Sequence, residues 1–155
     1  MTVATSTAHH LVAKSLRIMV EYDENGSDNF VDLGTPQGAA LKCRAINGYR
    51  RFIVGVLKTV TGTPGGMTTV TIGGATAADG TGYVACVSKA ATTANLLGDT
   101  VWLECDIEQI RESLATATFV GVKIDNEQAD NEQAIYFEMA DPTHEYQDLT
   151  ADFIG

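Results

Sequence analysis

Cysteine, histidine and proline are scarce in this chain, which has only three of each among 155 residues. Cys43, Cys86 and Cys105 are too widely spaced for the paired-cysteine motifs of zinc and redox sites. We expect three reduced, mostly buried thiols that pack as small hydrophobic residues. Reduced thiols are typical of a reducing cytoplasm. The first residues also lack the charged segment and long apolar run of a secretory signal.

Positive charge is also sparse, with 10 Lys and Arg against 20 Asp and Glu and a net charge of −10. A chain this acidic repels phosphate, so we expect no nucleic acid as a partner. The longest uncharged stretch, residues 59–78, is rich in Gly and Thr and contains a proline. It is no membrane span, and we expect no membrane contact.

Catalytic motifs are missing as well. The sequence has no Gly-x-Ser-x-Gly elbow and no Gly-Lys-Ser/Thr nucleotide loop. His9 and His10 lie close to the N-terminus and His144 follows a proline, and nothing places any of them beside a nucleophile. We therefore expect no catalytic residue, no cofactor and no enzyme activity.

Short segments of alternating apolar and polar residues dominate the chain and are separated by Gly, Asn and Pro turns. They predict about eight to ten strands in a single antiparallel β-sandwich or barrel. The segments are residues 16–22, 30–33, 40–45, 51–61, 67–72, 83–87, 100–104, 118–124 and 134–140.

One short helix is expected over residues 106–114, where Asp106 can cap the first turn and Gln109 follows three residues later. Residues 40–45 and 51–61 are interpreted as two strands around the Asn47-Gly48 turn, with 51–61 as a central strand. Residues 118–124 and 134–140 are interpreted as the last pair. Residues 1–12 are predicted to form a flexible N-terminal arm, and residues 13–155 are predicted to form a single β-rich domain.

Five aromatic residues lie within or beside predicted strands with apolar neighbours. They could form a sugar-stacking platform, but strand alternation favours packing in the core. They are Tyr83, Trp102, Phe119, Tyr136 and Phe137.

Charge is unevenly distributed along the sequence. Residues 1–98 hold eight basic and six acidic residues, whereas residues 99–155 hold two basic and fourteen acidic ones. Five basic residues surround the Asn47-Gly48 turn: Lys42, Arg44, Arg50, Arg51 and Lys58. Either folding mixes these charges, or they form surfaces of opposite sign that take part in an interaction.

A tandem repeat of Asp-Asn-Glu-Gln-Ala occupies residues 125–134. Its four carboxylates are interpreted as a soluble hairpin tip or as an acidic knob for a basic partner surface: Asp125, Glu127, Asp130 and Glu132. Neither this repeat nor residues 23–28 has the ligand spacing of a calcium loop, so we expect no metal site.

The chain resembles small virion proteins of tailed bacteriophages, in particular capsid decoration or cement proteins. The resemblance lies in a Thr/Ala-rich N-terminal segment, Gly/Thr/Ala-rich β segments and a strand followed by a short helix, closed by Asp-Pro after the last strand. The segments are residues 2–10, 59–82, 97–104, 119–124 and 141–142.

The resemblance implies a non-enzymatic protein of the virion, assembled in the cytoplasm of a bacterial host. Its partner would be the major capsid protein, and it would form a homo-oligomer, with a trimer favoured. Two other classes stay open: a phage tail-tube or receptor-binding spike component, and a small β-barrel that binds a ligand or acts as a hydrolase.

Overall fold

The strands expected from alternation form two antiparallel sheets in a computed structural model of the chain. The structure describes residues 16–22, 29–33, 42–46, 48–60, 67–92, 100–126 and 132–142. The predicted arm over residues 1–12 lies outside the described residues, as does the acidic segment 23–28.

Nine strands and one helix follow one another along the described chain. They are β1 (Leu16–Tyr22), β2 (Asn29–Phe30), β3 (Cys43–Ala45), β4 (Tyr49–Val60), β5 (Met67–Ala75), β6 (Val84–Thr92), β7 (Thr100–Asp106), α1 (Ile107–Ser113), β8 (Phe119–Asn126) and β9 (Glu132–Pro142). One sheet has the order β1-β9-β4-β7, which we call sheet A. The other has the order β2-β8-β5-β6, with β3 also paired to β8, and we call it sheet B.

The strand pairs are nested around the β5–β6 hairpin. β4 pairs with β7, β2 and β3 pair with β8, and β1 pairs with β9, so each pair encloses the one before it in the sequence. A ribbon of nested pairs wound into two packed sheets is the jelly-roll arrangement. The predicted antiparallel β-sandwich with one short helix is confirmed.

The predicted last strand pair is wrong, because β8 and β9 belong to different sheets. The two strands predicted on either side of the Asn47-Gly48 turn are present, but β3 pairs with β8 and lies in the other sheet from β4. Gly48, just before β4, takes a positive φ of 89° that suits glycine. Sequence neighbours were expected to pair, but in a sandwich each strand must also cover the apolar face of the opposite sheet.

The core lies between the inward faces of the two sheets. Phe52, Val54 and Val56 alternate inward along β4, which lies between β9 and β7 as the predicted central strand. Phe137 on β9 is also fully buried. Full burial of each such side chain stabilises the fold by about 1.5–3 kcal/mol.

Helix α1 packs against both sheets and begins where the sequence predicted. The Asp106 carboxylate accepts a hydrogen bond from the Gln109 backbone N–H at 2.8 Å, and the Gln109 side chain accepts one from the Asp106 N–H at 3.0 Å. Ile107 and Ile110 are buried beneath the helix. No helix in the described part of the chain is long and apolar enough to cross a membrane.

Candidate interaction surface

On the outward face of sheet A, directly paired residues of the four strands form rows, which we call levels. At one level, three of the four residues have large side chains. Met19 on β1 lies opposite Tyr136, Tyr136 opposite Gly55, and Gly55 opposite Trp102 on β7. Met19 is 74% exposed and Trp102 is 52% exposed. The solvent face of an antiparallel sheet is usually polar, so exposed apolar groups in one row are the unusual feature of this surface.

Trp102 is held flat against the sheet. A Cβ atom built on Gly55 would lie only 2.6 Å from the Trp102 ring, so the absence of a side chain at Gly55 makes room for the indole. The Trp102 Nε1 donates a hydrogen bond to the Thr100 hydroxyl at 3.1 Å, and the ring contacts Tyr136 edge-on with centroids 5.8 Å apart. The indole therefore packs on Gly55, while about half of Trp102 stays exposed and accessible to a partner.

Ion pairs border the apolar row on one side. Arg17 on β1 contacts Glu138 at 3.3 Å, and the Tyr136 hydroxyl also donates to Glu138. Partial burial and this hydrogen bond raise the pKa of Tyr136. Across the sheet, Arg51 pairs with Glu104. An apolar centre with a charged rim has the composition of a protein–protein interface.

The outward face of sheet B differs, because a cluster of rings and lysines covers part of it. Phe30 and Tyr83 contact edge-to-face with centroids 5.1 Å apart. The Lys123 ammonium lies 4.7 Å from the centre of the Phe30 ring and 4.8 Å from that of Tyr83. A Cβ on Gly80 would lie 2.5 Å from Phe30, so the β5–β6 loop packs directly over the ring.

Two of the five predicted basic residues lie beside or within sheet B. The Lys42 ammonium lies 5.6 Å from the centre of the Phe30 ring. The Arg44 guanidinium on β3 donates to the Leu33 carbonyl at 2.8 Å. Both side chains therefore have contacts within their own chain.

The other three basic residues lie on β4 in sheet A. Arg50 and Arg51 are neighbours and exposed, and Arg51 also lies 3.8 Å from Asp141. Lys58 follows seven residues later, about 23 Å along the strand, and its side chain lies outside the described residues. The structure thus keeps Arg50 and Arg51 near one end of β4, with side chains that alternate between its two faces, and places Lys58 towards the opposite end of the strand.

Two of the four predicted acidic residues lie in described strands, one near the end of β8 and one at the start of β9. Asp125 is half-buried near the end of β8, opposite Thr69. Glu132 begins β9 opposite Val60, and its side chain is not described. Glu127 and Asp130 lie outside the described residues. Among the residues that are described, no group of three or more His, Cys, Asp or Glu is arranged to hold a metal ion.

The three thiols are free, and two are buried as the sequence predicted. Burial raises the pKa of Cys43 to about 11. Burial also raises the pKa of Cys105, whose side chain on β7 has a hydrogen bond with Cys86 on β6. Cys86 is only half-buried. The two strands are the neighbouring edges of sheets B and A.

The prediction that the aromatic residues pack in the core is wrong for Trp102 and correct for Phe137. Tyr83, Phe119 and Tyr136 are half-buried. On β7 the inward positions belong to the smaller Val101, Leu103 and Cys105, and the pleat then turns Trp102 outward. The exposed Met19 was not singled out in the sequence, although β1 has apolar residues at both alternating sets of positions.

No family model and no curated protein sequence matches the chain. Among solved structures, it is similar to a Bacillus endospore appendage pilus protein, at 15% identity and a TM-score of 0.43, over 81% of this chain and 86% of that one. It is also similar to a capsid protein of a Helicobacter pylori bacteriophage, at 10% identity and a TM-score of 0.44, over 84% and 90%. A broad bean stain virus chain matches at 13% identity and a TM-score of 0.45, over 83% and 86%.

Proposed function

We propose that this protein is a non-enzymatic structural subunit of a virion, of the capsid cement type, which binds between capsid subunits and stabilises the shell. The observation that carries the proposal is the row of Met19, Tyr136 and Trp102 on sheet A, in which Met19 and Trp102 are exposed and available to another subunit of the virion. A fixed aromatic group with an open face and a charged rim suits a protein partner. The jelly roll supplies a rigid support but does not by itself imply a function.

The charges are expected to guide binding rather than to provide most of its free energy. Exposed ion pairs contribute only about 0–1 kcal/mol each, but complementary charges accelerate encounter. The basic residues Arg50 and Arg51 are consecutive near one end of β4, and the repeat over residues 125–134 supplies charge of the opposite sign. Shell binding should therefore depend on salt mainly through its association rate.

Binding to capsids that lack their cement protein tests the proposal. The purified protein should co-sediment with such capsids and raise the temperature at which they lose their contents. Association should slow as salt rises from about 0.05 to 0.5 M, because the Debye length falls well below 10 Å. R50E should slow association in low salt, whereas R111E, the same charge change on α1, serves as the matched control.

Two results would contradict the cement role. Absence of binding to capsids at any salt concentration would refute it directly. Formation of tubes or stacked rings by the protein alone, seen by negative-stain electron microscopy, would indicate a tail-tube component instead.

A further inference from the structure

The outward face of sheet A has a charge and shape pattern that fits a second copy of itself. We propose that two copies of this chain pair face to face through sheet A, about a two-fold axis that runs parallel to the strands between β9 and β4. This proposal rests on the structural role above, in which it makes the sheet A row the contact between neighbouring cement subunits rather than the contact with the shell. It replaces the trimer favoured from the sequence with a two-fold pair.

The strand register defines what this axis brings together. Rotation about it reverses the strand order, so β1 of one copy covers β7 of the other, and β9 covers β4. Residues at the same level along the strands then face each other. Met19 falls over the Trp102 position of the second copy, and Tyr136 falls over Gly55, where the indole of the second copy lies. The indole of each copy therefore meets Tyr136 and Met19 of the other.

At the next level along the strands, the proposed pair places residues of opposite charge from the two copies over each other. Arg17, Glu138, Ile53 and Glu104 share this level from β1 to β7. Reversal of the order sets Arg17 over Glu104 and Ile53 over Glu138, so no two like charges meet. The side chains of Arg17 and Glu104 are 66% and 51% exposed and accessible to a partner.

Sheets pack at a small crossing angle, and the proposed contacts tolerate it. An angle of about 30° shifts the outer strands by about 4 Å relative to each other. Successive outward residues on a strand are about 7 Å apart, so the shift is about half of one level. Arginine and methionine side chains are long enough to keep their contacts.

The size of the face sets the expected strength of the pair. Four strands about 4.8 Å apart and seven residues of about 3.3 Å give a face of about 450 Å² per copy, or about 900 Å² in total. Stable complexes bury about 1,200–2,000 Å², so we expect a weak pair with a dissociation constant of about 0.1–1 mM. Attachment of copies side by side on a shell would raise their effective concentration and strengthen the contact.

Sedimentation equilibrium from about 10 μM to about 1 mM, without capsids, tests the pair. The wild-type protein should show a monomer–dimer equilibrium. M19E places a carboxylate against the opposing indole and should weaken association at least about 10-fold. Met19 is so exposed that this change should leave the fold intact, as circular dichroism would verify. V84E, at an exposed valine of sheet B, is the matched control and should change association less than about 2-fold.

A charge swap tests the two-fold register itself. R17E and E104R should each weaken association about 3–10-fold, and the double variant should return to within about 3-fold of wild type. The double variant keeps both in-chain disturbances, next to Glu138 and Arg51, and recovery at high salt, where net-charge repulsion is screened, indicates contact between copies.

A wild-type protein that is monomeric at about 1 mM overturns the proposal. So does an M19E variant that associates like wild type, a V84E variant that is equally weakened, or a double charge swap no better than the single changes. Capsid binding measured in parallel separates the two proposals. Shell binding by a protein that does not self-associate leaves the cement role intact. Self-association without shell binding supports the pair and refutes the cement role.

Discussion

Replacing Gly55 with alanine tests how Trp102 is held on sheet A. The added methyl would lie 2.6–2.9 Å from three ring carbons of the indole, closer than real side chains approach each other. The backbone of Gly55 is ordinary strand, with no positive φ, so alanine causes no strain of its own there. The indole is on the surface and can move, and we expect it to swing away from the sheet.

Two effects of opposite sign determine the magnitude. Alanine in a strand is favoured over glycine by about 0.5–1 kcal/mol, because an alanine residue loses less conformational entropy than a glycine residue when the chain folds. Overpacking costs about 1–3 kcal/mol. G55A should therefore lower the free energy of unfolding by about 0.5–2 kcal/mol. In a W102A background the collision is gone, and the same substitution should instead stabilise the protein by about 0.5–1 kcal/mol.

Urea unfolding followed by circular dichroism measures all four members of this cycle. Trp102 is the only tryptophan, so its fluorescence also reports directly on the ring. The emission maximum of G55A should shift to longer wavelength as the indole meets more water. An unchanged emission spectrum, or the same sign of effect in both backgrounds, would show that Trp102 does not pack on Gly55 as described.

Three further predictions concern the helix cap and the thiols. D106A should lower the free energy of unfolding by about 0.5–2 kcal/mol in urea because it removes the capping box of α1, whereas E108A in the same turn should change it less. Burial raises the pKa of Cys43 from 9.0 to about 11, so the unfolded thiol ionises first and stability should fall between about pH 9 and pH 11. A C43A variant followed by thermal unfolding should fall less steeply, and an identical slope would exclude this thiol as the cause. An aromatic disulfide reagent should modify the half-buried Cys86 before Cys105, because Cys105 is buried and burial raises the pKa of its thiol. The reverse order of modification would contradict the described burial.

Local features of the sequence were sufficient for the strands and the helix. The alternation of Thr with Val70 and Ile72 predicted β5, and the pairing of Asp106 with Gln109 predicted the start of α1. Both signals act between residues a few positions apart, where the chain's own geometry fixes the contact. The scarcity of His and of paired Cys likewise predicted that the chain has no catalytic residue.

The tertiary structure alone decided which strands pair and which face of each strand is buried. β3 and β8 are more than seventy residues apart in sequence, and no local pattern encodes their contact. Alternation places Val101 and Trp102 on opposite sides of β7 but does not say which side meets the core. That choice follows from the volume available between two packed sheets, which smaller side chains fill, leaving the indole over Gly55 on the outside. The candidate surface exists because of this choice.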